Sequence, residues 1–143
     1  MTIEYPSSSW RDYELIDSGN FEKLERFGRY VMIRPEQRAL WERTLPEEEW
    51  LKRAHTKFAP GAGLGKAGKE DSGSWSMLNK MDKEWMISYP RVGFDLRLRL
   101  TSFKHIGVFP EQAPNWDYIY SSVKEIAASF TDGTPPRVLN LFA

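Results

Sequence analysis

The sequence predicts an α+β protein in which a β-rich antiparallel part is followed by a long helix and a final buried strand. Residues 94–100 alternate strictly between apolar and polar side chains, which is typical of a half-buried antiparallel strand. Residues 116–130 place apolar side chains three and four positions apart, which is typical of an amphipathic helix. Residues 138–143 form an apolar run after a proline pair, as a strand of a parallel sheet does.

The composition fits one globular domain and excludes several kinds of protein. The chain has 143 residues, 41% of them hydrophobic and 14% aromatic, so it can bury a core and is not disordered throughout. Twenty basic and twenty acidic residues cancel, and only a local basic face could bind nucleic acid. The absence of cysteine excludes disulfides, thiol catalysis and cysteine-bound zinc, and the two histidines are too few for us to expect a metal site.

The chain carries no sign of a membrane or secretory protein. Its first residues lack the basic and apolar regions of a secretory signal. No apolar run approaches the ~18 residues that span a membrane. We therefore expect a cytoplasmic protein without a membrane partner.

The first half of the chain predicts short strands and one helix. Residues 1–11 predict a disordered lead-in. Residues 12–34 contain apolar segments separated by turn residues, which predicts two or three antiparallel strands that end at Pro35. Pro46 and the three glutamates after it predict a helix that starts there and ends near His55.

A glycine-rich segment at 59–74 predicts a mobile loop between this helix and further strands at 75–77, 84–89 and 94–100. The spacing of Gly63, Gly65 and Gly68 matches a dinucleotide-binding fingerprint. That motif needs a strand before it and a helix after it, because the helix N-terminus binds the phosphate. Neither pattern is present, so we expect a loop without a nucleotide site.

Three basic residues in and after the strand at 94–100 are candidate phosphate contacts. Arg97 and Arg99 share one face of that strand, and Lys104 follows it closely. Such a row could contact a nucleic-acid backbone. A solvated strand face is the more common role of charged rows, and the residues alone leave both interpretations open.

A second candidate site lies directly before the long helix. Gly107, Phe109, Glu111 and Gln112 combine a glycine, an aromatic ring, an acid and an amide within six positions. A glutamate is favourable at a helix N-terminus for electrostatic reasons alone. Functional residues also concentrate in loops beside rigid elements, so both interpretations remain open.

This segment and the final run together resemble the class I S-adenosylmethionine (SAM)-dependent methyltransferases, and in particular the bacterial large-subunit rRNA cytosine methyltransferases. In that family a Gly-x-Phe-x-Asp-Gln segment opens the helix before the first strand of the methyltransferase domain. Gly107, Phe109, Glu111 and Gln112 match it, with glutamate in place of aspartate. The family's first strand, Val-Leu-Asn-Leu-Phe-Ala, is present in full at 138–143. Residues 13–35 are similar to a β-rich accessory domain of such proteins.

The resemblance implies three parts: the lead-in at 1–11, a β-rich substrate-recognition domain at 12–105, and at 106–143 the start of a truncated Rossmann-like methyltransferase domain. The glycine-rich turn and the catalytic residues that the family places after the first strand are not in this sequence. The resemblance therefore implies that this is the N-terminal region of a methyltransferase and that the chain is inactive alone.

The resemblance also implies the ligands. SAM is the expected cofactor of the complete protein, and RNA, specifically rRNA, is the expected substrate. The implied substrate contacts are Arg97, Arg99 and Lys104. The implied cofactor contacts are Phe109, Glu111, Gln112, Asn140 and Phe142. No catalytic residue and no metal ligand is assigned.

One alternative belongs to a different functional class. The chain could be a freestanding RNA- or protein-binding module without catalytic activity. An exposed terminal strand could also pair between chains and form a homo-oligomer.

Overall fold

The computed structural model describes residues 10–61, 72–131 and 133–141. The described residues up to Val108 form one compact unit, and those from Phe109 onward form a second. The mixed α+β fold predicted from the sequence is confirmed, with strands gathered in the first unit and a long helix in the second.

The first unit is built on a five-stranded mixed sheet with the strand order β1-β2-β3-β4-β5. Its strands are β1 Tyr13–Gly19, β2 Glu22–Phe27, β3 Tyr30–Pro35, β4 Thr56–Pro60 and β5 Gly73–Met77. The predicted antiparallel strands within 12–34 are confirmed as β1, β2 and β3. The pairing of β3 with β4 is parallel, because helix α1 (Glu47–Arg53) returns the chain to the end where β3 began. Strand β4 and its parallel pairing were not predicted.

Helix α1 covers one face of this sheet. Leu24 of β2 lies directly opposite Ile33 of β3, and both are buried against Trp50 and Ala54 of the helix. Burying side chains of this size stabilises the fold by about 1.5–3 kcal/mol each. This cluster is the main reason that a helix of only two turns holds its place.

A buried carboxylate joins β1 to the segment that leads into α1. Asp17 accepts hydrogen bonds from the backbone N–H of Leu45 at 2.8 Å and from the indole N–H of Trp50 at 2.9 Å. The backbone N–H groups of Thr44 and Ser18 also donate to it. Burial raises the pKa of Asp17, but these four hydrogen bonds outweigh it and hold the pKa below its ordinary value.

A two-stranded hairpin covers the other face of the sheet. Its strands, β6 Glu84–Tyr89 and β7 Phe94–Arg99, confirm the two strands predicted there. Trp85 of β6 donates its indole N–H to the carbonyl of Phe27 at 3.1 Å, and its ring meets Tyr30 edge to face at 5.4 Å. The sheet is therefore buried between a helix and a hairpin.

An ion pair is buried on the hairpin side of the sheet. Glu25 and Arg34 lie on adjacent strands, and their carboxylate and guanidinium approach to 2.7 Å. Tyr13 donates its hydroxyl to the same carboxylate, and Arg34 donates to the carbonyl of Lys104 at 3.2 Å. The pair therefore links three strands to the segment that follows β7.

The second unit contains a 3₁₀ turn at Pro110–Gln112 and the long helix α2, Ala113–Ser129. The helix predicted from the apolar periodicity of 116–130 is confirmed. Within the described residues, only Ala113 of α2 is buried, and Ile119, Tyr120 and Ile126 of the predicted apolar stripe are exposed.

The strand predicted at 138–143 is not present in the part of it that the structure describes. Residues 133–141 have no regular secondary structure, and Val138, Leu139 and Leu141 are at least two-thirds exposed. A strand forms only when a neighbour satisfies its backbone N–H and C=O groups, and no described strand pairs with this segment. The apolar pattern alone therefore did not suffice for this prediction.

Three boundaries also differ from the prediction. Trp10, assigned to the disordered lead-in, is buried and donates its indole N–H to the carbonyl of Ser88 at 2.8 Å; residues 1–9 lie outside the described part. Both ends of the predicted loop at 59–74 belong to strands, because Pro60 of β4 pairs with Gly73 of β5. Residues 62–71 lie outside the described part. Pro46 caps helix α1 instead of starting it.

Candidate functional site

The outer face of the β6–β7 hairpin carries the two candidate arginines. Alternation along β7 buries Leu98 and leaves Arg97 and Arg99 exposed. The antiparallel register places Arg99 directly opposite Glu84 and Arg97 opposite Met86. The structure therefore brings the two arginines together on one solvent-facing surface, as the sequence predicts.

Glu84 lies between the two arginines and contacts both. Arg97 donates from Nε at 3.1 Å and also from a terminal guanidinium nitrogen, while Arg99 approaches the other carboxylate oxygen at 3.7 Å. The hydrogen bond from Arg97 is the main reason that the pKa of Glu84 lies below its ordinary value, with both positive charges adding to it. One carboxylate thus neutralises one of the two cations, and a phosphate would compete with it.

Sequence reasoning missed Glu84, although a signal was available. The turn at 90–93 pairs Tyr89 with Phe94, and counting back along both strands from that pair places Glu84 opposite Arg99. Hairpin register, rather than residue type, identifies this acid.

Lys104, the third candidate, belongs to a different segment. It follows β7 in irregular structure, and its backbone carbonyl accepts the hydrogen bond from buried Arg34. Among the three candidates, Arg97 and Arg99 are the two that contact Glu84. A role for these three residues in binding substrate stays a prediction.

The segment at 106–108 runs beside β7 and ends the first unit. Arg99 donates its backbone N–H to the carbonyl of Ile106 at 3.1 Å, and both Ile106 and Val108 are buried. Gly107 between them has φ 103°, a backbone conformation that favours glycine. The glycine of the motif thus has a structural reason to be there.

The candidate cofactor residues at the start of α2 are exposed at a helix N-terminus. Phe109 is half exposed, and its carbonyl accepts the backbone N–H of Gln112 at 2.9 Å. Gln112 accepts a hydrogen bond from Asn115 at 2.8 Å through its side-chain oxygen. Glu111 is exposed in the first turn, where the helix dipole favours its charge. The structure assembles these three residues, and their cofactor role stays a prediction.

The two remaining cofactor candidates lie after α2. Asn140 is exposed in the irregular segment 133–141. Phe142 lies outside the described residues. The predicted contacts of Asn140 and Phe142 with SAM therefore stay predictions.

Metal-binding groups and membrane-spanning helices are both absent from the described residues. In 10–61, 72–131 and 133–141, the structure contains no group of three or more histidine, aspartate or glutamate side chains that could hold a metal ion. No helix in these residues is long and apolar enough to cross a bilayer.

Comparison with solved structures gives an informative similarity. The structure is similar to the crystal structure of the SAM-dependent methyltransferase from Agrobacterium tumefaciens, with a TM-score of 0.69 and 35% sequence identity. The match covers 86% of this chain and 36% of that protein. The chain resembles one part of a methyltransferase. It spans about a third of that protein's length.

Two further comparisons bear on how far this similarity extends. No protein-family model matches the sequence, and no curated protein matches it. The mixed α+β fold agrees with that of the methyltransferase, and the predicted resemblance to this class is supported. The resemblance to rRNA cytosine methyltransferases stays a prediction.

Proposed function

We propose that this chain is the N-terminal region of a SAM-dependent methyltransferase that acts on RNA in the cytoplasm. The observation that carries the proposal is the similarity to a SAM-dependent methyltransferase at 35% identity over 86% of the chain. At this identity and coverage, a shared fold by chance is a poor explanation, although fold alone would not imply function.

The two units would have different tasks in this protein. The proposed division is a lead-in at 1–11, a substrate-recognition domain at 12–105 and the start of the methyltransferase domain at 106–143. The substrate-recognition domain at 12–105 would position RNA, with Arg97, Arg99 and Lys104 as phosphate contacts. Arg97 and Arg99 lie together on the exposed hairpin face, and this placement of two guanidinium groups side by side supports the role.

The residues around the start of α2 would form one edge of the SAM site. Phe109 offers an apolar ring, and Glu111 and Gln112 offer a carboxylate and an amide that suit the ammonium and hydroxyl groups of SAM. Asn140 and Phe142 would contribute from the other candidate segment. When bound, SAM supplies the methyl group, and these residues hold the cofactor.

Methyl transfer by the full-length gene product tests the proposal. The protein would be incubated with methyl-labelled SAM and, separately, with rRNA, tRNA and a protein extract. We expect label in RNA, and rRNA above tRNA. Label in protein alone would contradict the RNA assignment, and label in none of the three would contradict the methyltransferase assignment.

A specific observation also supports the alternative of a freestanding binding module. The unit that ends at Val108 has its own buried core on both faces of the sheet. RNA binding by this 143-residue chain that is lost in the double variant Arg97→Ala/Arg99→Ala, with no SAM binding by the full-length gene product, would favour this alternative.

A further inference from the structure

The turn between β1 and β2 holds an aromatic residue in an unfavourable backbone conformation. Asn20 and Phe21 have φ angles of 50° and 63°, in the left-handed region. Asparagine tolerates this region, but a residue such as phenylalanine costs about 1–2 kcal/mol there. The Phe21 side chain is 57% exposed, so packing does little to offset that cost. The two-residue turn between paired Gly19 and Glu22 itself requires positive φ at both positions. What lacks a packing reason is the choice of phenylalanine where glycine or asparagine would cost less, and that choice points to a function.

The backbone around Phe21 is fixed on both sides. Its N–H donates to the carbonyl of Ala39 at 2.8 Å, and its carbonyl accepts the N–H of Glu36 at 2.8 Å. The adjacent N–H of Asn20 donates to the carbonyl of Trp41 at 2.7 Å. The turn and the loop after β3 therefore form one paired structure.

Trp41 presents a second exposed ring on the same structure. Its side chain is 56% exposed, and its indole N–H donates to the carbonyl of Ser18 at 2.9 Å. Because the only polar group of the indole is already bonded, a partner could use the ring itself. We call Phe21, Trp41 and the nearby Arg38 the aromatic turn.

Among the described residues, the charges around the aromatic turn leave one cation, Arg38, without an ion pair. Arg43 pairs with Glu22, and Glu36 pairs with Lys23 at 3.5 Å. The Arg38 side chain is exposed and has no ion-pair partner among the described residues. Glu42 is also exposed, so the surface as a whole is close to neutral.

We propose that the aromatic turn binds unpaired nucleotides, with Phe21 and Trp41 each stacking on a base and Arg38 contacting a phosphate. The proposal rests on the RNA substrate proposed above and adds a second contact surface to it. Base stacking on an aromatic side chain contributes about 1–3 kcal/mol per base and tolerates any sequence. It needs single rings held in place, which the paired turn supplies.

A protein partner fits this surface less well. A stable protein interface buries about 800 Å² on each partner around a continuous apolar centre. Here the exposed apolar side chains Phe21, Leu40 and Trp41 are bordered by the charged residues Glu36, Arg38 and Glu42. Exposed rings with charged residues beside them in the chain suit a strand of alternating bases and phosphates.

Fluorescence anisotropy with this chain and a labelled oligouridine of about ten nucleotides tests the proposal, at a length that matches known single-strand sites. Trp41→Ala and Phe21→Asn should each weaken binding about 5- to 150-fold, and Trp41→Phe should keep most of the affinity. Asparagine is tolerated in the left-handed region, so Phe21→Asn should keep or raise the unfolding temperature, which separates lost stacking from lost folding. Leu51→Ala, at an exposed apolar position of α1, is the control and should bind normally.

A salt titration tests the role of Arg38. For single strands, each phosphate contact contributes about −0.7 to the slope of log K against log salt concentration, so Arg38→Ala should make the slope shallower by about 0.7. Normal RNA binding by Trp41→Ala and Phe21→Asn would overturn the proposed role of the aromatic turn. Weak RNA binding by Arg97→Ala/Arg99→Ala in the same assay would still support the proposed RNA function. No RNA binding by the unaltered chain would overturn both. Self-association that Trp41→Ala abolishes, without RNA binding, would show a protein interface instead.

Discussion

Glu84 accepts a hydrogen bond from Arg97 across the β6–β7 pair, with Nε and Oε2 3.1 Å apart. The same carboxylate lies 3.7 Å from the guanidinium of Arg99. Both arginine side chains are about two-thirds exposed or more, so the three charges meet at the surface, where water and salt screen them. Such a contact contributes little to stability and can be exchanged for a contact with phosphate.

Removing this acid should strengthen RNA binding. Glu84→Gln removes the carboxylate that both arginines contact. Each arginine can then bind a phosphate without first breaking an ion pair. We expect several-fold tighter RNA binding at low salt, a steeper salt dependence and little change in the unfolding free energy. Filter binding over a range of salt concentrations measures the effect.

Asp95→Asn provides a matched control on the same hairpin face. Asp95 accepts a hydrogen bond from Ser88 and does not contact either arginine among the described contacts. Its removal should change affinity less than Glu84→Gln does. Equal or weaker RNA binding by Glu84→Gln would contradict the role of Arg97 and Arg99.

The carboxylate of Asp17 should make stability depend on pH. Its pKa in the folded protein lies below the ordinary value of 3.8, so the charged form stabilises the fold above that pH. This contribution is lost as the pH falls through the folded pKa. Asp17→Asn should lower the unfolding free energy at pH 7 by about 2–3 kcal/mol and flatten its decline in acid.

Urea unfolding at several pH values measures both effects. Glu14→Gln is the control, because Glu14 is an exposed carboxylate of the same strand in a surface ion pair with Arg26. It should cost less than about 1 kcal/mol. An Asp17→Asn variant as stable as the original at pH 7 would show that the hydrogen bonds to Leu45 and Trp50 matter little.

The buried Glu25–Arg34 pair should show strong coupling in a double-mutant cycle. Glu25→Gln leaves the buried guanidinium of Arg34 without a carboxylate, which costs about 3–5 kcal/mol. Arg34→Met leaves Glu25 with Lys23 at 3.6 Å and should cost somewhat less. The double variant removes both charges and should cost much less than the sum of the two single changes. Additive costs in urea unfolding would show that the two side chains do not interact.

Gly19 at the end of β1 and Gly93 in the turn before β7 should differ in their tolerance of alanine. A Cβ at Gly19 would lie 2.5 Å from the backbone nitrogen of Arg43, whereas one at Gly93 would meet nothing within 4 Å. Both have positive φ angles, 153° and 80°. Gly93→Ala should cost about 1 kcal/mol from strain alone, and Gly19→Ala about 3 kcal/mol because the clash must move backbone. Thermal unfolding distinguishes them, and equal shifts would contradict this explanation.

Much of the fold follows from patterns that neighbouring residues define. The alternation at 94–100 and the periodicity at 116–130 predict β7 and α2, because each pattern records which face of an element is buried. Strand β4 escaped prediction because it is short, and its position depends on the parallel pairing of Met32 with Thr56. The strand predicted at 138–143 is the opposite error in its described part, 138–141. Residues with the composition of a strand still need a partner strand.

The candidate sites were predicted only in part, for the same reason. Arg97 and Arg99 share a face because alternation within one strand places them there. Glu84 becomes their partner only through the cross-strand register, and Phe21 and Trp41 share one surface only through the backbone pairing of two loops. Contacts between distant segments carry little signal in residue type or local spacing.

Isothermal titration of the full-length gene product with SAM tests whether this chain belongs to a methyltransferase. We expect binding of one SAM molecule per protein and weaker binding after Glu111→Ala or Gln112→Ala. Glu125→Ala, at an exposed position far along α2, should bind SAM normally. A folded full-length protein that binds no SAM would contradict the assignment of this chain to a methyltransferase.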